Sequence, residues 1–404
     1  MKVDVDSKAL GEALKRVSSV TGSSQHAVAC LSVERDGRLA VGGASSLGVG
    51  VVVRIDTQAA RVGDDEDLVW VYMRDIKKVA TTAKKGSVVT MTVEHVGTPD
   101  GDPGGQPHGV SFHYDGRTVN TDYPSTRTPE VFSALHQFEG LTEAVKGGGG
   151  IFGALSTEGL RRARKVASID RDRPILKTVC FTQNGETQEY VATDSYRLSR
   201  FTTKATPFSP FDGDDQFRAL IPGDAVDVML KLTDQPDVYG MFTGVDGVGH
   251  FCLGGEFDAE LFFRCVDGKY PSLKDVIDAE SERIVTLHDV DGMLDQLKTA
   301  LKFADKHETT VKVGAGESGG IHCTMGGIYG DVKPRVEFTV AGDFFGEAPV
   351  AFNGAYLYDF LDGAESPLEI GRSVSDSGIN PVRFDMVTDE GDVERRILML
   401  VRTS

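Results

Sequence analysis

The chain is short of most residues that fix chemistry at a glance. It has five cysteines in 404 residues, and Cys30, Cys180, Cys252, Cys265 and Cys323 form no Cys-x-x-Cys pair and no zinc-type spacing with histidine. They are expected to be buried, reduced thiols. The one adjacent pair, His322-Cys323, lies in alternating strand-like text and reads as structural. No apolar run approaches the roughly 18 residues of a membrane helix. The N-terminus, MKVDVDSKALGEALKRV, reads as strand then helix and lacks the apolar core of a signal peptide. A cytoplasmic protein without a membrane partner is expected. There is no Gly-x-Ser-x-Gly elbow. The glycine stretches at Gly42-Gly43 and Gly147 to Gly150 lack the closing Gly-Lys-Ser/Thr of a phosphate loop. Asp212, Asp214 and Asp215 cluster, but in polar loop text where metal ligation is not expected. The reading is therefore no catalytic residue, no metal and no cofactor.

What the chain does contain is repetition. Its length suggests two to four domains, and 40% apolar with 26% charged residues suits folded, soluble domains. An amphipathic helix after a short strand occurs as SKALGEALKRVSSV, STEGLRRARKVASI and DVDGMLDQLKTALKFA. Its apolar stripes are Leu10, Ala13, Val17; Leu160, Ala163, Ala167; and Leu294, Leu297, Leu301. A second unit, an apolar strand running into a helix, recurs with Tyr72, Ile221 and Phe352 in equivalent places. Tyr123-Pro124-Ser125 and Tyr270-Pro271-Ser272 close the first two copies. Between the helices the text alternates, broken by turns at Asp36-Gly37, Asn184-Gly185 and Glu390-Gly391. The expected fold is α+β: three repeated domains, each with two helices packed on antiparallel sheet, spanning 1–148, 149–278 and 279–404. The glycines after Lys146 form the first joint, and His95 to Gly109 is a surface loop.

Charge is distributed unevenly. The formal net charge of −18 argues at first sight against a nucleic-acid partner. Yet residues 7–20, 73–85 and 156–168 carry +2, +4 and +3, so the remainder carries −27. Lys298, Lys302 and Lys306 recur every four residues, although Asp291, Asp295 and Asp305 balance them, and the second helices of units two and three are acidic or neutral. Basic helices turned inward, with acidic sheet outward, would hold duplex DNA in a channel by its phosphates alone, in any register. The residues expected to do so are Lys15, Arg16, Arg74, Lys77, Lys78, Arg161, Arg164, Lys165, Lys298 and Lys302.

Four further segments resemble one family. Val191-Ala192-Thr193-Asp194-Ser195-Tyr196-Arg197-Leu198 is similar to Ala-Thr-Asp-Gly-His-Arg-Leu of the β subunit of bacterial DNA polymerase III, the sliding clamp. Val266-Asp267-Gly268-Lys269-Tyr270-Pro271, Phe352-Asn353-Gly354-Ala355-Tyr356-Leu357 and Ile397-Leu398-Met399-Leu400-Val401-Arg402 resemble three more family segments, in the family's order. The resemblance implies three copies of one domain per subunit and a homodimer ring lined by helices. It also implies an apolar groove between the middle and last domains for peptide motifs of the replicative polymerase, the clamp loader and other proteins that carry clamp-binding motifs. Carried over, the groove comprises Arg173, Leu176, Thr193, Ser195, Tyr196, Arg197, Leu198, Pro271, Val276, Asn353, Tyr356, Ile379, Pro381, Leu398, Met399, Leu400, Val401 and Arg402. Tyr196 stands where the family has His and Leu400 where it has Pro, and Thr403-Ser404 follow Arg402. Such departures suit a divergent or phage-encoded member with its own peptide preference.

Two other classes compete with a non-enzymatic processivity factor. An enzyme, a nuclease above all, would turn over DNA with a metal. A repeated-domain, β-rich structural or surface protein would share the acidic total but have no use for the concentrated Lys and Arg.

Overall fold

The computed structural model describes residues 2–22, 24–45, 48–61, 69–95, 107–122, 124, 150–209, 217–243, 247–253, 258–304, 309–317, 319–326, 335–374, 380–388 and 391–401. The Asp212 to Asp215 cluster, Tyr123, Ser125, Gly147 to Gly149, Lys306, Ile379 and Arg402 lie outside them, as does most of the loop from His95 to Gly109.

The elements repeat three times. Repeat one comprises β1 (Lys2–Asp6), α1 (Ser7–Thr21), β2 (Val28–Val33), β3 (Leu39–Ala44), β4 (Val49–Ile55), β5 (Thr57–Arg61), β6 (Val69–Tyr72), α2 (Met73–Thr82), β7 (Val88–His95), β8 (Pro107–Tyr114) and β9 (Arg117–Asp122). Repeat two comprises β10 (Gly150–Ser156), α3 (Thr157–Arg164), β11 (Thr178–Asn184), β12 (Thr187–Thr193), β13 (Arg197–Lys204), β14 (Phe217–Pro222), α4 (Gly223–Leu232), β15 (Asp237–Thr243), β16 (Val248–Cys252) and β17 (Asp258–Arg264). Repeat three comprises β18 (Ser281–Leu287), α5 (Val290–Phe303), β19 (Thr310–Ala315), β20 (Ile321–Met325), β21 (Val336–Val340), β22 (Gly342–Phe344), β23 (Val350–Asn353), α6 (Gly354–Leu361), β24 (Leu368–Ser373), β25 (Val382–Val387) and β26 (Val393–Leu398). Each repeat is thus strand, helix and three-strand meander, done twice, with β5 added in repeat one and β22 in repeat three.

Helix phase corrects the sequence register in two places. First helices start at Ser7, Thr157 and Val290, and second helices at Met73, Gly223 and Gly354, so copies one and two are 150 residues apart on both counts. The strand ends that cap the second helices are Tyr72, Pro222 and Asn353, so Tyr72 matches Pro222 rather than Ile221. In α5 the buried stripe is Val290, Met293, Leu297 and Ala300. Leu294 and Leu301 only flank it. Asp289 caps the helix by accepting the Gly292 N–H, and packing against the repeat-three core selects the buried face.

The chain forms two compact units. The first (1–158, 206–215 and 221–267) holds α1, α2 and α4, a five-stranded sheet β5-β1-β7-β8-β9 and an eight-stranded sheet β10-β15-β16-β17-β4-β3-β2-β6. Asp6 caps α1 by accepting the N–H groups of Lys8 and Ala9, and the buried stripe Leu10, Ala13, Val17 packs on the sheet. A Cβ added at Gly11 would meet the Ala80 Cβ at 4.0 Å, so α1 and α2 lie side by side. The eight-stranded sheet runs through a repeat junction: β4 of repeat one pairs antiparallel with β17 of repeat two, Val49 opposite Phe263 and Arg54 opposite Asp258.

The second unit (159–205, 216–220 and 268–404) holds α3, α5, α6, a nine-stranded sheet β14-β11-β12-β13-β26-β25-β24-β18-β22 and a four-stranded sheet β21-β20-β19-β23. The same joint recurs here, with β13 of repeat two antiparallel to β26 of repeat three, from Arg197 opposite Leu398 to Thr202 opposite Val393. Gly159, at the start of α3, sits under the Tyr190 ring, where an added Cβ would come within 2.5 Å.

A buried ionic cluster locks this second joint. Glu394, 1% exposed, accepts from Arg396, from Arg162 of α3 and from Ser199 of β13. Arg396 also donates to the carbonyls of Phe360 and Asp362 at the C-terminal end of α6, where positive charge is favoured. Arg162, which contributes to the positive charge of residues 156–168, is therefore turned inward rather than toward solvent. Cys30, Cys180 and Cys323 are buried free thiols as expected, but Cys252 is exposed, because it ends β16 in register with exposed Tyr239. No helix among the described residues is long and apolar enough to cross a membrane.

Burial alone would raise the Glu394 carboxyl, but hydrogen bonds and charge from Arg396 and Arg162 outweigh it and hold it below the usual carboxylate range. The resulting stabilisation is complete above the unfolded value, about pH 4.3, and is lost as pH falls through the lower folded value. Glu394→Gln leaves Arg396 buried without its counter-charge and is expected to cost about 3–5 kcal/mol in denaturant unfolding. It should also remove part of the acid sensitivity of the second unit. A change below about 1 kcal/mol would show that the cluster is not the lock described.

Candidate functional site: a basic helix face and a cleft

The cations expected to meet DNA sit on neighbouring helices within each unit. On α1, Lys15 is exposed and only 3.9 Å from Glu12, while Arg16 reaches the Leu232 carbonyl at the end of α4. On α2, Arg74 lies over the Tyr72 ring and near Asp75, Lys78 is exposed and Lys77 half-buried. In the second unit Arg161 is exposed and Arg164 half-buried on α3. Lys165 pairs with Asp362 at 2.7 Å, which ties the end of α3 to the end of α6. Lys298 and Lys302 are exposed one turn apart on α5, which packs against α6. Exposed pairs such as Lys165–Asp362 contribute at most about 1 kcal/mol, so these cations can change partners cheaply.

The second feature is a cleft in the second unit. Its wall is the β12–β13 turn. Asp194 accepts the N–H groups of Tyr196 and Arg197, and Thr193 Oγ1 accepts the Ser195 N–H and donates to the Arg197 carbonyl. This tight turn forces Ser195 to φ 79°, a left-handed conformation that favours the glycine standing at this position in the similar clamp motif. Arg173, from the chain before the turn Pro174–Lys177, donates to Ser195 Oγ at 3.0 Å. Opposite, Asn353 caps α6 by accepting the Tyr356 N–H, which aims Tyr356 at the turn. The Arg197 guanidinium lies 4.4 Å above the Tyr356 ring and is held by Asp194 and Asp359. Tyr196, 59% exposed, brings its ring to 6.2 Å from that of Tyr356. Burial, then the nearby Asp194 charge, raises the Tyr356 hydroxyl above its ordinary value, so it is a neutral donor at neutral pH. The C-terminal segment closes the far side: Met399 N–H donates to the Tyr196 carbonyl and Val401 N–H to the Ala351 carbonyl, both at 2.8 Å.

The structure therefore gathers Arg173, Thr193, Ser195, Tyr196, Arg197, Asn353, Tyr356, Met399 and Val401. Leu400 packs half-buried against the repeat-three core, and Leu398 lies wholly inside it. Leu198 is buried with Ile277 and Ile397, so these two leucines are floor rather than contact surface. Leu176 is half-buried, Pro381 buried, and Pro271 and Val276 exposed on the connection between repeats. Three residues absent from the sequence expectation matter here. Asp194 and Asp359 fix Arg197, and the buried Tyr270 hydroxyl accepts the Thr193 N–H at 3.1 Å. Asp194 was legible as the turn-forming residue of its motif; Asp359 was not, because it comes from a helix 162 residues away.

Three repeats of strand, helix and antiparallel meander, joined at β4·β17 and β13·β26, make the fold seen in solved DNA polymerase sliding clamps. The solved structures it matches include the DNA polymerase sliding clamps of Pseudomonas aeruginosa and of Bacillus subtilis, each with TM-score 0.74, 18% identity and 100% coverage of both chains. The sliding clamp of Bartonella birtlesii, solved bound to griselimycin, matches with the same TM-score, identity and coverage. No protein-family profile and no curated protein sequence matches this chain.

Replacing Ser195 by glycine is expected to raise stability by about 1 kcal/mol, because the left-handed strain goes and only an exposed hydrogen bond to Arg173 is lost. Thermal unfolding of the two proteins measures this; destabilisation would mean that the Arg173 contact outweighs the backbone strain.

Proposed function

We propose that the chain is a DNA sliding clamp: two copies close into a ring around duplex DNA and tether the replicative polymerase through the Tyr196–Tyr356 cleft. The observation that carries this reading is the pattern of sheet edges. At each internal joint the last strand of one repeat's first meander pairs with the last strand of the next repeat's second meander, β4 with β17 and β13 with β26. The two strands left over by the same rule are β21 and β9, which end their sheets among the described residues. Unpaired edges recruit strands. Pairing β21 of one copy with β9 of another, twice, satisfies both edges, keeps the rule and leaves a closed dimer of three domains per chain, with boundaries near 148 and 278.

The cations of α1, α2, α3 and α5 then supply phosphate contacts that permit sliding, while the acidic remainder repels DNA from the exterior. The cleft holds partner peptides, and tethering does its work by raising the polymerase's effective concentration at the primer end. The role is mechanical rather than catalytic. Ring opening falls to a separate loader, and other proteins with the same kind of peptide share the cleft.

Mass in solution should be twice the 43.5 kDa chain, and a monomer at micromolar concentration would overturn the ring. The protein should stay on circular DNA and leave once that DNA is cut. Replacing Arg161, Arg164 and Lys165 together by alanine should flatten the dependence of log affinity on log salt by about 2–3. Tyr356→Ala with Met399→Ala should abolish polymerase tethering while the dimer mass is kept. Tethering that survived would remove the cleft from the mechanism.

A further inference from the structure

Beside the cleft, on the same unit, lies a cavity of ≈ 510 Å³ walled by β11, β12, β13 and β14 and by residues 269–278. Its volume is that of a site for several side chains. The floor is apolar, with Val191, Leu273 and Ile277, and the rim is charged. Arg200, Arg218, Lys269 and Lys274 face Glu189 and Asp278 there. Glu189 is already paired with Arg200. Arg218, Lys269 and Lys274 make no ion pair among the described residues, so the rim has cationic capacity to spare. In a chain of net charge −18, a concave surface of positive sign is an exception that calls for an acidic occupant.

The cavity is joined to the cleft wall through one residue that belongs to both surroundings. Pro271 and Tyr270 line it, and the Tyr270 hydroxyl holds the backbone N–H of Thr193 in the cleft wall. The linking segment is fixed rather than loose, since Arg395 and Arg383 both donate to the Ile277 carbonyl, at 2.6 and 3.3 Å. We propose that this cavity is an extension of the peptide cleft that receives the acidic flank of a partner peptide whose apolar anchors sit at Tyr196 and Tyr356. The proposal rests on the cleft reading given above. It makes the sequence beside the anchors a determinant of which partner binds.

The test uses the full chain and three fluorescein-labelled peptides with one Leu-Phe anchor pair. One carries four glutamates before the anchors, one carries them after, and one carries serines on both sides. Anisotropy titration at low salt should show one acidic peptide binding about tenfold tighter than the serine peptide, an advantage that disappears at high salt. Arg218→Glu with Lys269→Glu should erase that advantage and leave the serine peptide's affinity unchanged. Equal binding of all three peptides, or an advantage that survives charge reversal, overturns the extension while leaving the cleft standing. Competition of a single-stranded oligothymidine against the acidic flank alone would overturn it too, by assigning the cavity to nucleic acid. Binding of no peptide at all would defeat the cleft and its extension together, and Tyr356→Ala serves as the control that loses all three.

Discussion

An antiparallel sheet that stops leaves a row of backbone donors and acceptors without partners, and every joint in this chain is an answer to that problem. Repeat one ends its first meander at β4 and repeat two covers it with β17. Repeat two ends at β13 and repeat three covers it with β26. Because the joints are continuous sheet, the compact units cut across the repeats: each unit is built around one joint, and repeat two is shared between them. Among the sheet edges left in the described residues, β9 and β21 are the two that end a meander in the way β4, β13, β17 and β26 do, and they inherit the same demand.

The two internal joints differ on their helix-facing sides, although the ion pairs Arg54–Glu260 and Arg38–Asp258 also cross the first. At β4·β17 the residues facing the helices are apolar, with Val51, Val53, Leu261 and Phe263 fully buried. At β13·β26 the corresponding region holds the Glu394, Arg396 and Arg162 cluster. Apolar packing is forgiving of small shifts, whereas a buried ion cluster is satisfied in one geometry only. That rigidity falls at the joint which also carries the cleft. Arg396 grips the end of the helix whose start presents Tyr356, and Arg197 stands on the strand that pairs with β26.

Departures from the similar clamp motif cluster at the cleft surface. Ser195 accepts a strained backbone, and Tyr196 sets a large ring beside Tyr356. Leu400 turns its side chain toward the repeat-three core. The turn scaffold beneath them, built by Thr193, Asp194 and Arg197, keeps the family residue types. Scaffold residues answer to backbone hydrogen bonds that any partner requires, while surface rings answer only to the partner in hand.

Periodicity in the sequence determined the threefold repeat, the α+β class and the basic character of α1, α2 and α3, because apolar spacing and turn residues are local properties. It also carried the cleft as motifs, since the turn at Asp194 and the cap at Asn353 are each written within a few consecutive residues. Register was the weak point: in α5 several leucines offer competing stripes, and only packing against the repeat-three core chooses among them. What tertiary structure alone decided was everything that joins distant text. Arg162 could be counted as a surface cation until Glu394, 232 residues away, was seen to bury it. Strand pairing across repeats, the roles of Asp359 and Tyr270, and the cationic cavity have the same origin, because a contact between residues far apart in the chain leaves no periodic trace in either segment.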